Sequence, residues 1–391
     1  MKTYLVLGGY GEMGRIASRD LAETAKGARI IIAGRDEGKA KQYAKSLKRK
    51  NVVGIAADAT KTGDLVAMLK KNKVDVVVNC TLYYYNLHIM QACLKAGCHY
   101  LDLGGLFHMT KKQLKLNQKF KKKNLVAILG CGSTPGITNV MAGYGVKMLD
   151  KVREIHVRFA GYSFVPQKRH FVVPYSMYTV FDEFTARPAV FTKGRMKFVK
   201  PISGRAEEYF PDPINKVTTF YTLHSELATF PSSFKKKGIK ECSFKVSFDE
   251  DFVHDVKLLI ESGLASKKMV KIGKAKIRPV DLTVKELNRF VPDNKNVEDI
   301  EYVRVIIKGE KRKKPAEFIL DCLAHSSKKW RAAAGDIDTG VPPSIIAQMI
   351  ANGKIKQRGA LPPELCVPAE MFFKELEKRN MKIMMTVRKM E

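Results

Sequence analysis

Tyr4-Leu5-Val6-Leu7-Gly8-Gly9-Tyr10-Gly11-Glu12-Met13-Gly14 decides how the rest of the chain is read. Four apolar residues make a run of strand length, and Ile16, Ala17, Leu21 and Ala22 then recur at helical spacing. Gly9, Gly11 and Gly14 fit G-x-G-x-x-G between a strand and a helix, the context in which that pattern carries a mechanism. Gly9 allows a tight turn, Gly11 removes the side chain that would block a pyrophosphate, and Gly14 lets helix and strand pack closely. The positive end of the helix dipole then faces the phosphates. Tyr10, Glu12 and Met13 fill the turn and belong to the expected dinucleotide contact.

The second strand ends Ala33-Gly34-Arg35-Asp36. An NAD site wants a carboxylate there, about 20 residues past the glycines, for the ribose 2′-hydroxyl. Gly34 removes the carboxylate that would repel a 2′-phosphate and Arg35 adds a cation, so NADP is favoured over NAD. Asp36 is read as the N-cap of the next helix rather than a ribose ligand. Asp58, beside Ala59, either accepts the adenine amino group or caps a helix. Asn79-Cys80-Thr81 ends the fourth strand where backbone approaches a nicotinamide ribose; a turn role for Asn79 is the alternative. Asp102-Leu103-Gly104-Gly105 places a carboxylate at the end of the fifth strand. Gly130-Cys131-Gly132-Ser133-Thr134-Pro135-Gly136 is either the floor under a nicotinamide or an interdomain hinge.

Strand patterns at 3–8, 28–33, 51–57, 74–79, 98–103 and 125–130 alternate with helical ones near 13–25, 36–49, 61–72, 84–96 and 110–123. This order predicts an α/β fold with a doubly wound parallel sheet of Rossmann type over residues 1–136. From 137 the texture changes. A helix at 137–149 precedes alternating strands at 152–161, 242–248 and 301–308, with helices near 176–186, 252–262 and 281–290. Residues 137–335 therefore read as an α+β substrate and dimerisation domain with a mixed or antiparallel sheet. In the tail, Thr339-Gly340-Val341-Pro342-Pro343 precedes an expected helix from Ser344 to Asn352, and a last helix is expected at 368–380. Residues 336–391 are expected to return to the first domain.

The chain has 391 residues, 45% of them hydrophobic, which suits two or three globular domains. Seven scattered cysteines form no C-x-x-C pair, so no metal site is expected and a reducing cytoplasm is. No apolar run is long enough for a membrane helix. Lys+Arg 70 against Asp+Glu 39 gives a net charge of +31. The lysine runs 121–123, 235–237 and 311–314 carry no interleaved aromatics, so they read as solvated surface rather than a nucleic-acid face.

Taken with Val76-Val77-Val78-Asn79-Cys80-Thr81, Pro135-Gly136-Ile137-Thr138-Asn139 and Thr339-Gly340-Val341-Pro342-Pro343, these motifs resemble the saccharopine dehydrogenase-like family over residues 1 to about 380. Chain length and Asp102-Leu103-Gly104-Gly105 are most similar to its lysine 6-dehydrogenase and saccharopine reductase branch. The resemblance implies NAD(P)-linked oxidation of the CH–NH or CH–NH2 bond of an amino acid of saccharopine or lysine type, through an imine, by a homodimer. It departs at Gly34, where NAD-using lysine 6-dehydrogenases carry Asp.

The substrate is expected between the domains, with Tyr175, Ser176 and Arg187 as binding groups. A neutral histidine can take a proton from an ammonium or from water. His224 is the first choice, with Asp102 and Glu226 as carboxylate partners; His170, His254 and His325 have less polar context. Two other readings stay open: an inactive nucleotide-binding regulator of the same fold, and a basic nucleic-acid binder.

Overall fold

The computed structural model describes residues 1–165, 171–290 and 297–389; His170 lies outside them. The first part of the chain alternates β1 (Thr3–Leu7), α1 (Glu12–Thr24), β2 (Arg29–Gly34), α2 (Glu37–Ser46), β3 (Val52–Ala56), α3 (Thr62–Lys71), β4 (Val76–Asn79), α4 (Asn86–Ala96), β5 (His99–Asp102), α5 (Leu106–Leu114), α6 (Asn117–Lys122) and β6 (Val126–Ile128). The helix expected at 110–123 is thus two helices.

There follow α7 (Ile137–Lys147), β7 (Lys151–Ser163), α8 (Met177–Thr185), β8 (Ala189–Thr192), β9 (Arg195–Phe198), β10 (Ala206–Tyr209), β11 (Lys216–Tyr221), α9 (Glu226–Ser233) and β12 (Glu241–Ser247). Then come α10 (Glu250–Glu261), β13 (Val270–Ile272), β14 (Ala275–Ile277), α11 (Pro279–Leu287), β15 (Asp299–Lys311) and β16 (Lys314–His325). The chain closes with α12 (Ala334–Ala351), β17 (Gly359–Leu361), α13 (Pro363–Cys366), α14 (Ala369–Glu377) and β18 (Lys382–Lys389).

Among the described residues the first sheet has seven parallel strands in the order β17-β6-β5-β4-β1-β2-β3. The order reverses between β1 and β4, and that switch point opens a crevice at the carboxyl ends of the strands. Alternate residues face opposite layers. Val6, Ile32 and Val78 join one core, and Leu7, Ile31 and Val77 the other. Burial on both faces explains the unbroken Val/Ile/Leu runs.

Among the described residues the second sheet has nine strands. Its main path is β10-β11-β12-β7-β15-β16-β18, parallel only between β12 and β7, with β8 and β9 attached beside β12. One hydrophobic core runs without a break from the first sheet into this domain.

The tail differs from expectation in two ways. Its helix starts at Ala334, not Ser344, and runs through both prolines. Pro342 and Pro343 carry no N–H, so the carbonyls of Asp338 and Thr339 lose helical partners. Burial on nearly all sides keeps the helix intact there. At Gly340 a Cβ would sit 2.5 Å from Ile16 Cβ, so the glycine is what lets α12 cross α1 this closely. Buried Asp20 accepts from Ser344 Oγ (2.6 Å) and Arg379 Nε (2.7 Å), tying α1 to the tail. The second difference is at the end. Residues 359–361 do add a strand to the first sheet, but β18 leaves it and pairs with β16 across Leu323↔Lys382 to Ala316↔Lys389. An unpaired β16 edge supplies the ladder partners that β18 takes.

Candidate active site

A cleft of about 1730 Å³ runs from the glycine turn to the second sheet. Its first wall is backbone. Gly8 holds the left-handed conformation (φ +78°), so the positive φ of the turn falls on Gly8 rather than Gly9. A Cβ on Gly9 would come within 2.7 Å of Val6 O, and one on Gly14 within 2.0 Å of Gly8 O. Both are packing glycines, and the space they leave brings the start of α1 against β1. The first helical bond is Arg15 N–H to Gly11 O (2.8 Å). The N–H groups of Glu12, Met13 and Gly14 therefore precede the helix's own ladder and are open to an anion. That cradle fits a pyrophosphate.

Tyr10, Gly11, Glu12, Met13, Gly34, Arg35, Asp58, Ala59, Cys80 and Thr81 line this part of the cleft. Gly34 has a reason that the sequence did not show: a Cβ there would lie 2.4 Å from the Tyr10 ring. The Tyr10 hydroxyl in turn accepts from Asp36 N–H (3.0 Å). Asp36 caps α2, accepting from Lys39 N–H at 2.9 Å. Asp58 accepts from Thr60 N–H (2.9 Å) and Thr60 Oγ1 (2.7 Å), bonds that hold its carboxyl below the usual range.

Two residues expected in the site lie behind the wall instead. Asn79 is buried, donating to Asn86 Oδ1 (2.8 Å) and Tyr100 Oη (3.1 Å) and accepting from Thr81 N–H (3.0 Å). It shapes the end of β4 without lining the cleft. Asp102 is 1% exposed and accepts from Tyr100 Oη (2.8 Å), Gln113 Nε2 (2.5 Å), Gly104 N–H (2.9 Å) and Gly130 N–H (2.8 Å). Burial raises its carboxyl's pKa and the four donors pull it back. With its oxygens so occupied, Asp102 fastens the β5 end to the loop after β6 and does not line the cleft. Gly104 and the Ser133–Pro135 loop that it supports do line the cleft.

The second wall is made of side chains. His224 precedes α9, and its ring stacks on Phe244 of β12 with centroids 3.7 Å apart. Its Nδ1–H donates to Glu226 Oε2, and Glu226 Oε1 accepts from Thr138 Oγ1 (2.8 Å). A carboxylate on Nδ1 leaves the lone pair on Nε2. Nε2 has no hydrogen-bond partner among the described residues, and the ring lines the cleft. Burial lowers the imidazole's pKa, but Glu226 and then Glu183 outweigh it and raise the value. Ser225, next along, accepts from Thr110 Oγ1 (3.1 Å) and Gly105 N–H (3.4 Å), which holds the histidine against the first domain.

Tyr175 and Ser176 line the cleft, and the Tyr175 hydroxyl donates to Glu183 Oε2 (2.5 Å). Arg187 does not: it is turned away and donates to the Phe198 carbonyl (2.7 Å). Its charge is exposed and absent from the wall, because the chain turns off into β8 directly after α8. Sequence reading missed three carboxyls. Glu183 (4% exposed) has its pKa raised by burial to about 7. Asp338, which accepts from Ser133 Oγ (2.7 Å), is likewise raised to about 7 by burial. Glu301 of β15 is raised by burial and by Asp338 beside it. Against a chain charge of +31, this wall is acidic. No group of three or more His, Cys, Asp or Glu among the described residues could hold a metal ion, and no helix is long and apolar enough to cross a membrane.

Residues 4–128 match the model of the saccharopine dehydrogenase NADP binding domain, and residues 132–381 match that of the saccharopine dehydrogenase C-terminal domain. The chain belongs to the saccharopine dehydrogenase family. The apo saccharopine dehydrogenase (L-Glu forming) of Saccharomyces cerevisiae has the same fold, with a TM-score of 0.76 at 15% identity, covering 99% of this chain and 100% of that one. A carboxyaminopropylagmatine dehydrogenase of Synechocystis sp. is 24% identical over 365 residues, 90% of this chain and 89% of its own. A carboxynorspermidine synthase of Vibrio cholerae is 26% identical over 262 residues, 64% of this chain and 60% of its own. Family membership gives the glycine cradle a nicotinamide dinucleotide as its anion, and makes the chain an oxidoreductase by kind. The Synechocystis and Vibrio relatives are named for amine-bearing substrates other than saccharopine and lysine.

Proposed function

We propose that this protein is an NADP-linked oxidoreductase that acts on the C–N bond of a carboxylated amine of polyamine type. The observation that carries this is the pairing of walls in one cleft: a dinucleotide cradle faces His224, Glu183 and Glu301, with Asp338 buried behind Glu301. The names of the Synechocystis and Vibrio relatives support the polyamine type over lysine or saccharopine. A multiply cationic substrate suits an acidic wall.

When bound, the nicotinamide accepts or returns hydride at the carbon bearing nitrogen. The chain's own residues do the rest. The turn and the N-terminus of α1 hold the pyrophosphate, while Arg35, on the cleft wall beside Gly34, supplies the cation for a 2′-phosphate. Gly104 and Pro135 line the cleft where the nicotinamide would lie, and His224 Nε2 takes the proton of the substrate ammonium while Glu226 steadies the imidazolium.

The test is a substrate panel of carboxynorspermidine, carboxyaminopropylagmatine, saccharopine and lysine with NADP or NAD, followed by the absorbance of reduced nicotinamide. The polyamine-type substrates with NADP are expected to react fastest. Preference for lysine or saccharopine overturns the substrate class, and turnover of none overturns the reading.

A further inference from the structure

Resting on the reading above, the chemistry needs more proton traffic than one histidine can carry. Written for a secondary ammonium, the nitrogen first gives up a proton. The C–H bond on the adjacent carbon then breaks, and its electron pair and hydrogen pass together to the oxidised nicotinamide, leaving a cationic C=N. Water adds to that carbon through oxygen and loses a proton. The C–N bond breaks with its electrons going to nitrogen, while the carbinol oxygen loses its proton and becomes a carbonyl. Three protons leave, two return to the departing nitrogen as it becomes a primary ammonium, and one reaches solvent. Some of these protons sit on nitrogen and others on oxygen, at different positions around the reacting carbon.

The cleft holds two proton-bearing pairs of the same design. In each, one atom is tied and the other is free. His224 is tied through Nδ1 to Glu226. Glu183 is tied through Oε2 to the Tyr175 hydroxyl at 2.5 Å, and its Oε1 takes no hydrogen bond among the described residues although the side chain is 4% exposed and lines the cleft. Glu183 Oε1 is not among the buried side-chain atoms left without a partner in the described residues, so it opens onto the cleft, where a substrate, water or proton can meet it. The two pairs arrive from different elements, α8 and the β11–α9 connection, and both front the same space.

We infer that Tyr175–Glu183 is a second catalytic pair, which takes and returns the protons on oxygen while His224–Glu226 serves those on nitrogen. In the oxidative direction Glu183 Oε1 receives the proton of the attacking water, and the Tyr175 O–H holds Oε2 and orients the carboxyl. In the reductive direction Glu183 protonates the carbinol oxygen as it leaves as water. The charged neighbours are consistent with this. Nearby His224 favours the carboxylate, adjacent Asp182 on α8 disfavours it, and Glu301 on β15 faces Tyr175. Burial is the largest influence and leaves Glu183 titrating near neutrality, where a group can both take and give a proton.

Two arms test the pair. The first needs no substrate: infrared difference spectra of the full chain between pH 6 and pH 8 (about one unit either side of the midpoint). They are expected to show a protonated carboxyl band that titrates near neutrality, is lost in Glu183→Gln and is displaced in Tyr175→Phe, which keeps the ring's packing. In the second arm, carboxynorspermidine oxidation with NADP is expected to slow about 100-fold in Glu183→Gln. One limb of the kcat–pH profile should vanish and the dissociation constant for NADPH should stay unchanged. An unchanged kcat and an intact profile in Glu183→Gln overturn the pair, as does the absence of the band. Lack of wild-type turnover strikes the substrate reading alone, and the infrared arm then decides the pair.

Discussion

Along the carboxyl ends of β1 to β5 the cleft is shaped by backbone and by side chains that are missing, whereas across from it α8, β15, α12 and the His224 segment supply buried acids and an imidazole. The first wall offers free N–H groups and room. Among the described residues it carries two carboxylates: Asp58 is held below the usual range by Thr60, and Glu12 at the start of α1 is pushed up by burial and by Asp336. The second wall is expensive to fold, since desolvation raises the carboxyl pKa of Glu183, Glu301 and Asp338. The contrast shows a division of labour. Binding is assigned mainly to backbone geometry, and chemistry to groups held near the point where they can lose a proton.

If that division is right, the largest effect comes from filling the first wall. Gly14→Val puts a side chain where even a Cβ meets Gly8 O at 2.0 Å, and NADPH binding is expected to disappear up to millimolar concentration in a fluorescence titration. Micromolar binding by that variant would break the comparison. Next, His224→Ala is expected to lower kcat about 100-fold or more while the NADPH dissociation constant stays nearly constant. A matching loss of cofactor affinity would put the histidine on the wrong wall.

Asp102→Ala sharpens the boundary between the walls. It strands four donors, each costing about 1–3 kcal/mol when buried and unpaired. Thermal denaturation should move several degrees lower, with the kcat of the folded fraction less affected than in His224→Ala. Arg35→Ala is expected to raise the KM for NADPH about tenfold and to leave that for NADH unchanged.

The smallest effect is in pH. Asp338 titrates near 7 when folded, above its ordinary 3.8. The folded state therefore binds the extra proton between those values, and stability falls as pH rises through that window. Asp338→Asn should flatten the denaturation midpoint between acid and neutral pH.

The first wall was legible because its requirements are local. A strand, a turn with positive φ and a close helix can be met in few ways, so Gly9, Gly11 and Gly14 announce themselves within eleven residues. Gly34 was legible by position, yet the Tyr10 ring that rests on it was not. Asp102 shows the limit. A carboxylate at a strand end reads the same whether it faces a ligand or, as here, collects donors from Tyr100, Gln113 and Gly130. Glu183 was invisible for the opposite reason. In Val180-Phe181-Asp182-Glu183-Phe184 the acids look like the wet side of an amphipathic helix, but Asp182 meets Tyr83 of the first domain and Glu183 meets Tyr175. β16 went unread because Phe318-Ile319-Leu320 is apolar on both faces, with β18 covering the edge from a distant part of the chain. α12 was shortened because a Pro-Pro pair inside a helix defies local propensity and is sustained by tertiary burial.

The central claim is that the opening turn holds a phosphorylated nicotinamide dinucleotide in front of His224. An equilibrium titration of the unmodified chain with NADPH and, separately, NADH tests it most directly. Micromolar binding of NADPH, with NADH at least about tenfold weaker, is the expected result; no binding of either at millimolar concentration would contradict the account.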